Sequence, residues 1–212
     1  MLSWRARNIF KAVDEKIMAF LLGICMHEII WHGRGGQGVV VGAQILAEAA
    51  YRQGFKGVTS APTFGPERRG APLTASTRIS DEPIRTFSQI EFPDIAVVLD
   101  SSLLEVVDIQ SSIKKGGIII VNTNLNPGHV KIKKEIKLAC IDAAKIALQH
   151  RLVKEGAPLV NAPLLGAFSR ASNLISLPYL EQGLKWKLPP QLAAGNILAL
   201  KEAYEQTIII EN

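Results

Sequence analysis

Six consecutive residues, Gly33, Arg34, Gly35, Gly36, Gln37 and Gly38, carry the first chemistry legible in this sequence. Gly33, Gly35 and Gly38 fit the spacing G-x-G-x-x-G between an apolar run and a helical one. In a dinucleotide-binding turn the first glycine allows the tight strand-to-helix reversal and the second lets backbone approach a diphosphate. The third lets the helix pack close to the strand, and free N–H groups at the helix start attract the anion. Holding NAD this way also requires a carboxylate about 20 residues on, at the end of the second strand, for the ribose. Here that strand ends in Val58-Thr-Ser-Ala-Pro-Thr-Phe64 with no acid, and Arg68 and Arg69 follow. An arginine pair suits the 2′-phosphate of NADP, a nucleotide 3′-phosphate or a diphosphate equally, through bidentate contacts. A plain tight turn that holds nothing has the same spacing, and Glu67, Arg68 and Arg69 are equally compatible with salt bridges to another chain.

Other polar residues fall at strand ends. His32 stands beside the glycine turn, where a lone histidine reads more readily as a hydrogen-bonded structural residue than as a proton carrier. Asp100, Asn122 and Thr123 occupy the edge at which α/β folds bind ligands, and Asp100 equally suits capping of a helix that begins near Ser101. Asn161 reads as the cap of a helix whose small residues Ala162, Gly166 and Ala167 allow close packing. Cys140 reads as core.

The elements that position these groups alternate in the βαβ manner. A strand is expected over His27–His32, a helix over Gln37–Gln53 and a strand over Gly57–Ala61. Residues 62–72, with three prolines and two glycines, form a shaped loop. Strands follow over 73–80, 93–100 and 116–123, then over Lys137–Ile141 ahead of a further helix. Continuous apolar runs such as Ile95–Leu99 and Ile118–Val121 require a sheet covered on both faces. From Val160 onward the pattern is helical, with Leu164, Leu165, Phe168, Leu192, Ile197, Leu198 and Leu200 expected in the core. The fold class is α/β, a Rossmann-like three-layer αβα arrangement with a mostly parallel sheet and a helical C-terminal part.

At 212 residues, 48% of them hydrophobic, the chain can bury one ample core, so a single domain is expected over residues 26–212. Residues 1–25 set Arg5, Arg7 and Lys11 before an apolar run, Ile17–Cys25, too short to span a bilayer. They read either as an extra helical arm or as an over-extended translation start. Two cysteines, Cys25 and Cys140, without C-x-x-C spacing, neither staple a secreted fold nor supply the four thiolates of an iron–sulfur cluster. A reducing, cytoplasmic compartment is expected. The net charge of +5 suits an anionic ligand, but the lysines are dispersed and no aromatic-interleaved basic stripe points to nucleic acid.

The stretches HGRGGQGVVVGAQILAEAA (32–50), APTFGPERRGAPLTASTRIS (61–80), DIAVVLDSSLL (94–104), GGIIIVNT (116–123) and NAPLLGAFSRASNLISLPYLE (161–181) occur in this order. Together they resemble the gamma subunit of 2-oxoacid:ferredoxin oxidoreductases, in particular the pyruvate type, over about residues 27–204. The paired signatures G-R-G-G-Q-G and F-G-P-E-R-R-G-A-P carry the resemblance. It implies a soluble complex in which alpha, beta and delta-type subunits hold thiamine diphosphate, Mg and [4Fe-4S] clusters. That complex converts pyruvate and coenzyme A to acetyl-CoA and carbon dioxide while reducing ferredoxin.

For this chain the resemblance implies coenzyme A binding and cover of the active site, with no catalytic or metal-ligating residue of its own. Candidate contacts are Gly33, Arg34, Gly35, Gly36, Gln37, Gly38, Phe64, Arg68 and Arg69, with the diphosphate over the glycine turn and arginines meeting phosphate charge. The same role in a 2-oxoglutarate, branched-chain or aryl 2-oxoacid paralogue is the near alternative. An autonomous NADP-binding oxidoreductase is the distant one, since no Tyr-x-x-x-Lys dyad appears.

Overall fold

The computed structural model describes residues 25–62, 70–86, 88–130, 132 and 135–211. The arm expected at 1–25 therefore falls, but for Cys25, outside the described residues. A seven-stranded sheet runs in the order β2-β3-β1-β4-β5-β6-β9. Its strands are β1 (Met26–Arg34), β2 (Gly57–Pro62), β3 (Pro72–Ser80), β4 (Ile95–Val98), β5 (Ile118–Asn122), β6 (Lys137–Ile141) and β9 (Ile208–Ile210). The pairs β1–β4, β4–β5 and β5–β6 are parallel. The pairs β1–β3, β2–β3 and β6–β9 are antiparallel. Strand β2, reversed twice through β3, thus points the same way as the parallel four, so five of seven strands share a direction.

The described residues form seven α-helices: α1 (Val39–Gln53), α2 (Leu103–Val106), α3 (Ile109–Ser112), α4 (Ala143–Gln149), α5 (Asn161–Ser172), α6 (Leu177–Lys187) and α7 (Pro190–Gln206). Side chains alternate across each strand. Ile95 and Val97 of β4, Ile120 of β5 and Trp31 of β1 join one core with α1 and α4 to α7. Ala96, Val98, Ile119 and Val121 join a second core beneath α2 and α3. Both faces are covered, as the continuous apolar runs require, but the second helical layer is thin, since α2 and α3 have four residues each. On that face a buried ion pair, Arg78 Nε to Glu28 Oε1 at 3.1 Å, adds a bond from Arg78 Nη2 to the Ser88 carbonyl. Glu28 N–H donates to Asp94, so the pair also ties the 88–94 segment to β1 and β3.

The C-terminal quarter departs from the expected helical run at its end, where β9 follows the last helix. A two-stranded hairpin, β7 (Val153–Lys154) with β8 (Ala157–Pro158), turns at Glu155 and Gly156, both with positive φ, just ahead of that quarter. Three isoleucines at 208–210 then add β9 to the sheet edge. Leu192 and Leu198, expected in the core, are 53% and 57% exposed. Helix α7 turns Ala193, Asn196, Ala199, Leu200 and Ala203 inward instead. The reason is α5, whose Gly166 lies so close that an added Cβ would run into the Leu200 carbonyl. Small residues must face that crossing. No helix among the described residues is long and apolar enough to cross a membrane.

Candidate functional site

Strand β1 continues past the expected end at His32 through Arg34, and α1 starts at Val39. The reversal between them depends on glycine at two levels. A Cβ on Gly33 would stand 2.6 Å from Val39 Cγ2, so the helix folds back over the strand only without one. Gly36 and Gly38 adopt φ of 96° and 87°, left-handed values that glycine takes at little cost. Gln37 closes the turn: its Oε1 accepts from Arg34 N–H at 2.8 Å and its own N–H donates to Arg34 C=O at 3.1 Å.

Among the described residues the outer side of the turn is open, since a Cβ on Gly36 would meet none of their atoms within 4 Å. Helix α1 begins with no side-chain cap and no acidic residue in its first turn, and its ladder closes from Gly42 N–H to Gly38 C=O at 2.8 Å. The start of a helix of 15 residues therefore presents backbone N–H groups and the positive end of its dipole at the carboxyl edge of the sheet.

Arg34 is engaged elsewhere. Its Nε donates to Asp100 Oδ2 at 2.8 Å, Nη2 to Ser102 Oγ at 2.9 Å and Nη1 to the Gly70 carbonyl at 3.1 Å. Gly35 N–H donates to Ala71 C=O at 3.1 Å, so the glycine turn is bridged to the exit of the arginine-bearing loop. Asp100 Oδ1 in turn accepts from the N–H and the hydroxyl of Ser102 at 3.0 and 2.6 Å. Burial alone would raise the Asp100 carboxyl, but the hydrogen bonds from Ser102 and Arg34, with the Arg34 charge, hold it below its ordinary value. The helix expected near Ser101 begins at Leu103 with Ser102 as its N-cap, so Asp100 closes the turn ahead of that helix rather than capping it. Phe64, Arg68 and Arg69 lie outside the described residues.

The remaining strand-end residues have structural partners or none. Asn122 donates to the Leu99 carbonyl and accepts from Ala144 N–H, and Thr123 accepts from Leu125 N–H. Asn161 does not cap: it is the first residue of α5, 5% exposed, with its side chain against Gly38 and Oδ1 without a partner. His32 is 7% exposed and its Nε2 likewise lacks a partner, so no hydrogen bond forms at that atom. Cys140 is buried in β6 and its thiol is pushed up to about 11 by desolvation. With Cys25 the only other thiol, the chain cannot supply the four thiolates of a cluster.

Burial pulls His32 down to about 4 from 6.5, which makes it an acid-sensitive element of the fold. The folded chain binds this proton more weakly than the unfolded one, so the neutral imidazole's contribution is complete above pH 6.5 and lost as pH falls toward 4. Chemical denaturation of the parent and of His32→Leu across that window should diverge by about 3 kcal/mol, the parent falling faster. Parallel curves would show that His32 stays protonatable in the folded chain.

An NAD(P) site of the usual kind would place a ribose-binding residue on the parallel strand next to β1. On that side β1 is flanked by antiparallel β3, and β2 lies one strand further out, roughly 10 Å from β1 at ordinary strand spacing. The structure is a Rossmann-like α/β domain with a glycine turn at its carboxyl edge and without the neighbouring strand that dinucleotide binding uses. A family model described as pyruvate ferredoxin/flavodoxin oxidoreductase matches residues 28–206. The chain belongs to that family.

It is 47% identical over 189 residues to the pyruvate/ketoisovalerate oxidoreductases common subunit gamma of Thermococcus litoralis, a match covering 88% of this chain and 100% of that one. It is 43% identical over 181 residues to pyruvate synthase subunit PorC of Methanothermobacter marburgensis, covering 85% and 97%. The crystal structure of pyruvate oxidoreductase subunit PORC of Thermotoga maritima matches with a TM-score of 0.73 and 34% identity, over 88% of this chain and 99% of that one.

Proposed function

We propose that this chain is the gamma subunit of a cytoplasmic pyruvate-type 2-oxoacid:ferredoxin oxidoreductase, in which it receives coenzyme A and helps cover the active site. The observation that carries the coenzyme A assignment is the open glycine turn at the uncapped start of α1, a backbone anion site with no acidic residue in its first turn. Arg68 and Arg69, on the loop whose exit is bridged to that turn through Gly35 and Ala71, are proposed to meet phosphate. The name of the Thermococcus litoralis relative, a subunit common to pyruvate and ketoisovalerate oxidoreductases, supports a role that does not select the 2-oxoacid. Thiamine diphosphate, Mg and the clusters are assigned to alpha, beta and delta-type partner subunits, and ferredoxin is reached through them.

The division of labour has a direct test. Two cysteines cannot supply the four thiolates of a cluster, so the isolated chain is expected to be colourless and should not reduce a viologen dye with pyruvate and coenzyme A. Added to the purified partner subunits, it should restore dye reduction. Dye reduction by the pure chain at a rate near that of the complex would overturn the subunit reading.

A further inference from the structure

We infer that Arg34 and Asp100 are a positioning pair: Asp100 and Ser102 hold the Arg34 guanidinium so that it clamps the Gly70 carbonyl and fixes the glycine turn in its receptive shape, and Arg34 does not itself meet phosphate. This rests on the coenzyme A reading and reassigns one of its members. Each of the three guanidinium nitrogens has a different protein partner, on Asp100, Ser102 and Gly70. Only a planar fork spans three acceptors in that way, and a lysine ammonium does not reproduce it. The partners come from the segment after β4 and from the start of the segment leading into β3. One side chain therefore joins three stretches that are far apart in sequence.

The charge balance points the same way. Asp100 lies 2.8 Å from Arg34 Nε, and its carboxyl is held below the ordinary range, so at neutral pH it cancels most of the field that Arg34 would offer a ligand. A phosphate that captured the guanidinium would displace this carboxylate and leave two anions side by side. The α1 N-terminus and the open space outside Gly36 need no such exchange. The backbone bridge between Gly35 and Ala71 also depends on the clamp, because Gly70, the residue Arg34 holds, directly precedes Ala71.

The test uses the reconstituted complex with Arg34→Lys, Asp100→Asn and the double variant, measuring assembly, kcat, and KM for coenzyme A and for pyruvate. Each single variant should raise KM for coenzyme A about tenfold, the scale of one charge-assisted hydrogen bond, with pyruvate KM and kcat near the parent's. The double variant should do no more than the stronger single, since both remove one clamp. A lower coenzyme A KM in Asp100→Asn beside a higher one in Arg34→Lys would make Arg34 a direct ligand and overturn the inference, as would additive effects or loss of assembly in both singles. Gly36→Val is the reference. If it raises KM for coenzyme A while Arg34→Lys and Asp100→Asn leave it unchanged, the positioning role alone falls; if Gly36→Val also leaves it unchanged, the coenzyme A reading falls and the inference with it.

Discussion

Gly166→Val is expected to abolish folding at ordinary temperatures, with loss of the cooperative thermal transition and accumulation in the insoluble fraction. A Cβ at this position would overlap the Leu200 carbonyl and stand 3.0 Å from Tyr204 N and the Leu200 carbonyl carbon. Those atoms are backbone of α7, fixed by its own hydrogen-bond ladder, so relief requires α5 and α7 to separate. Their separation exposes Leu164, Leu165, Phe168, Leu200 and Ala203, all at or near 0% exposure. Ordinary overpacking costs about 1–3 kcal/mol, whereas forcing two backbones apart belongs to the tail above about 4 kcal/mol, comparable to the whole stability of a domain. Two other helical glycines grade the argument. At Gly183 the nearest backbone atom to an added Cβ is Ile45 O at 2.9 Å, so Gly183→Ala should be destabilising but tolerated. At Gly195 the nearest atoms are at 3.5 Å, so Gly195→Ala should stabilise by up to about 1 kcal/mol through helix propensity. A Gly166→Val chain that folds and melts as cooperatively as Gly195→Ala would mean that α5 and α7 do not cross at Gly166.

The crossing also explains where hydrophobic periodicity misled. Leu192 and Leu198 outweigh the alanines of α7 in any apolar stripe, yet the side of the helix that must approach α5 closely can hold only small side chains. Size at the crossing, rather than hydrophobicity, chose the buried face. Strands β4 and β5 were legible because both faces are buried and their runs are continuously apolar. The insertion of β3 between β1 and β2 was not, because alternation in residues 73–80 shows a strand but carries no information on its neighbour or direction. Strand β9 was missed because three residues after a long helix give no period to read.

The same distinction holds at the site. Gly33, Gly36 and Gly38 were legible because each turn position has a steric requirement that only glycine meets. The Arg34–Asp100 pair was not, because its members are 66 residues apart and meet only when β1 and β4 lie side by side. Both sit just beyond paired residues of parallel neighbours, so the pair becomes legible as soon as the strand order is known. Asn161 shows the limit of local signals: an asparagine at the start of a helix looks like a cap, but Val160 is the N-cap of α5 and Asn161, the first helical residue, is tucked against Gly38 instead.

Replacing Gly36 by Val should raise KM for coenzyme A by at least tenfold in the reconstituted complex, with pyruvate KM little changed. The backbone at Gly36 has φ 96°, which a β-branched residue adopts only with strain of order 1–3 kcal/mol. Relief of that strain would redirect the peptide N–H groups around Gly36 and Gln37. An added side chain would also extend outward from the turn, where no atom of the described residues lies within 4 Å of the Cβ position and where a diphosphate would need to come close to the backbone. Either effect removes charge-assisted N–H contacts worth roughly 1.5–3 kcal/mol each, or about ten- to hundredfold in affinity. Replacing Arg68 and Arg69 by Ala should act on the same constant and not on pyruvate, by removing phosphate charge. NADPH should bind measurably to neither parent nor variants, because β3 takes the place beside β1 where its ribose would need a parallel strand. Titration of the assembled complex with coenzyme A, pyruvate and NADPH separates the outcomes: an unchanged coenzyme A KM with failed assembly would place the turn and the arginines in a subunit interface, and tight NADPH binding would return the turn to nicotinamide chemistry.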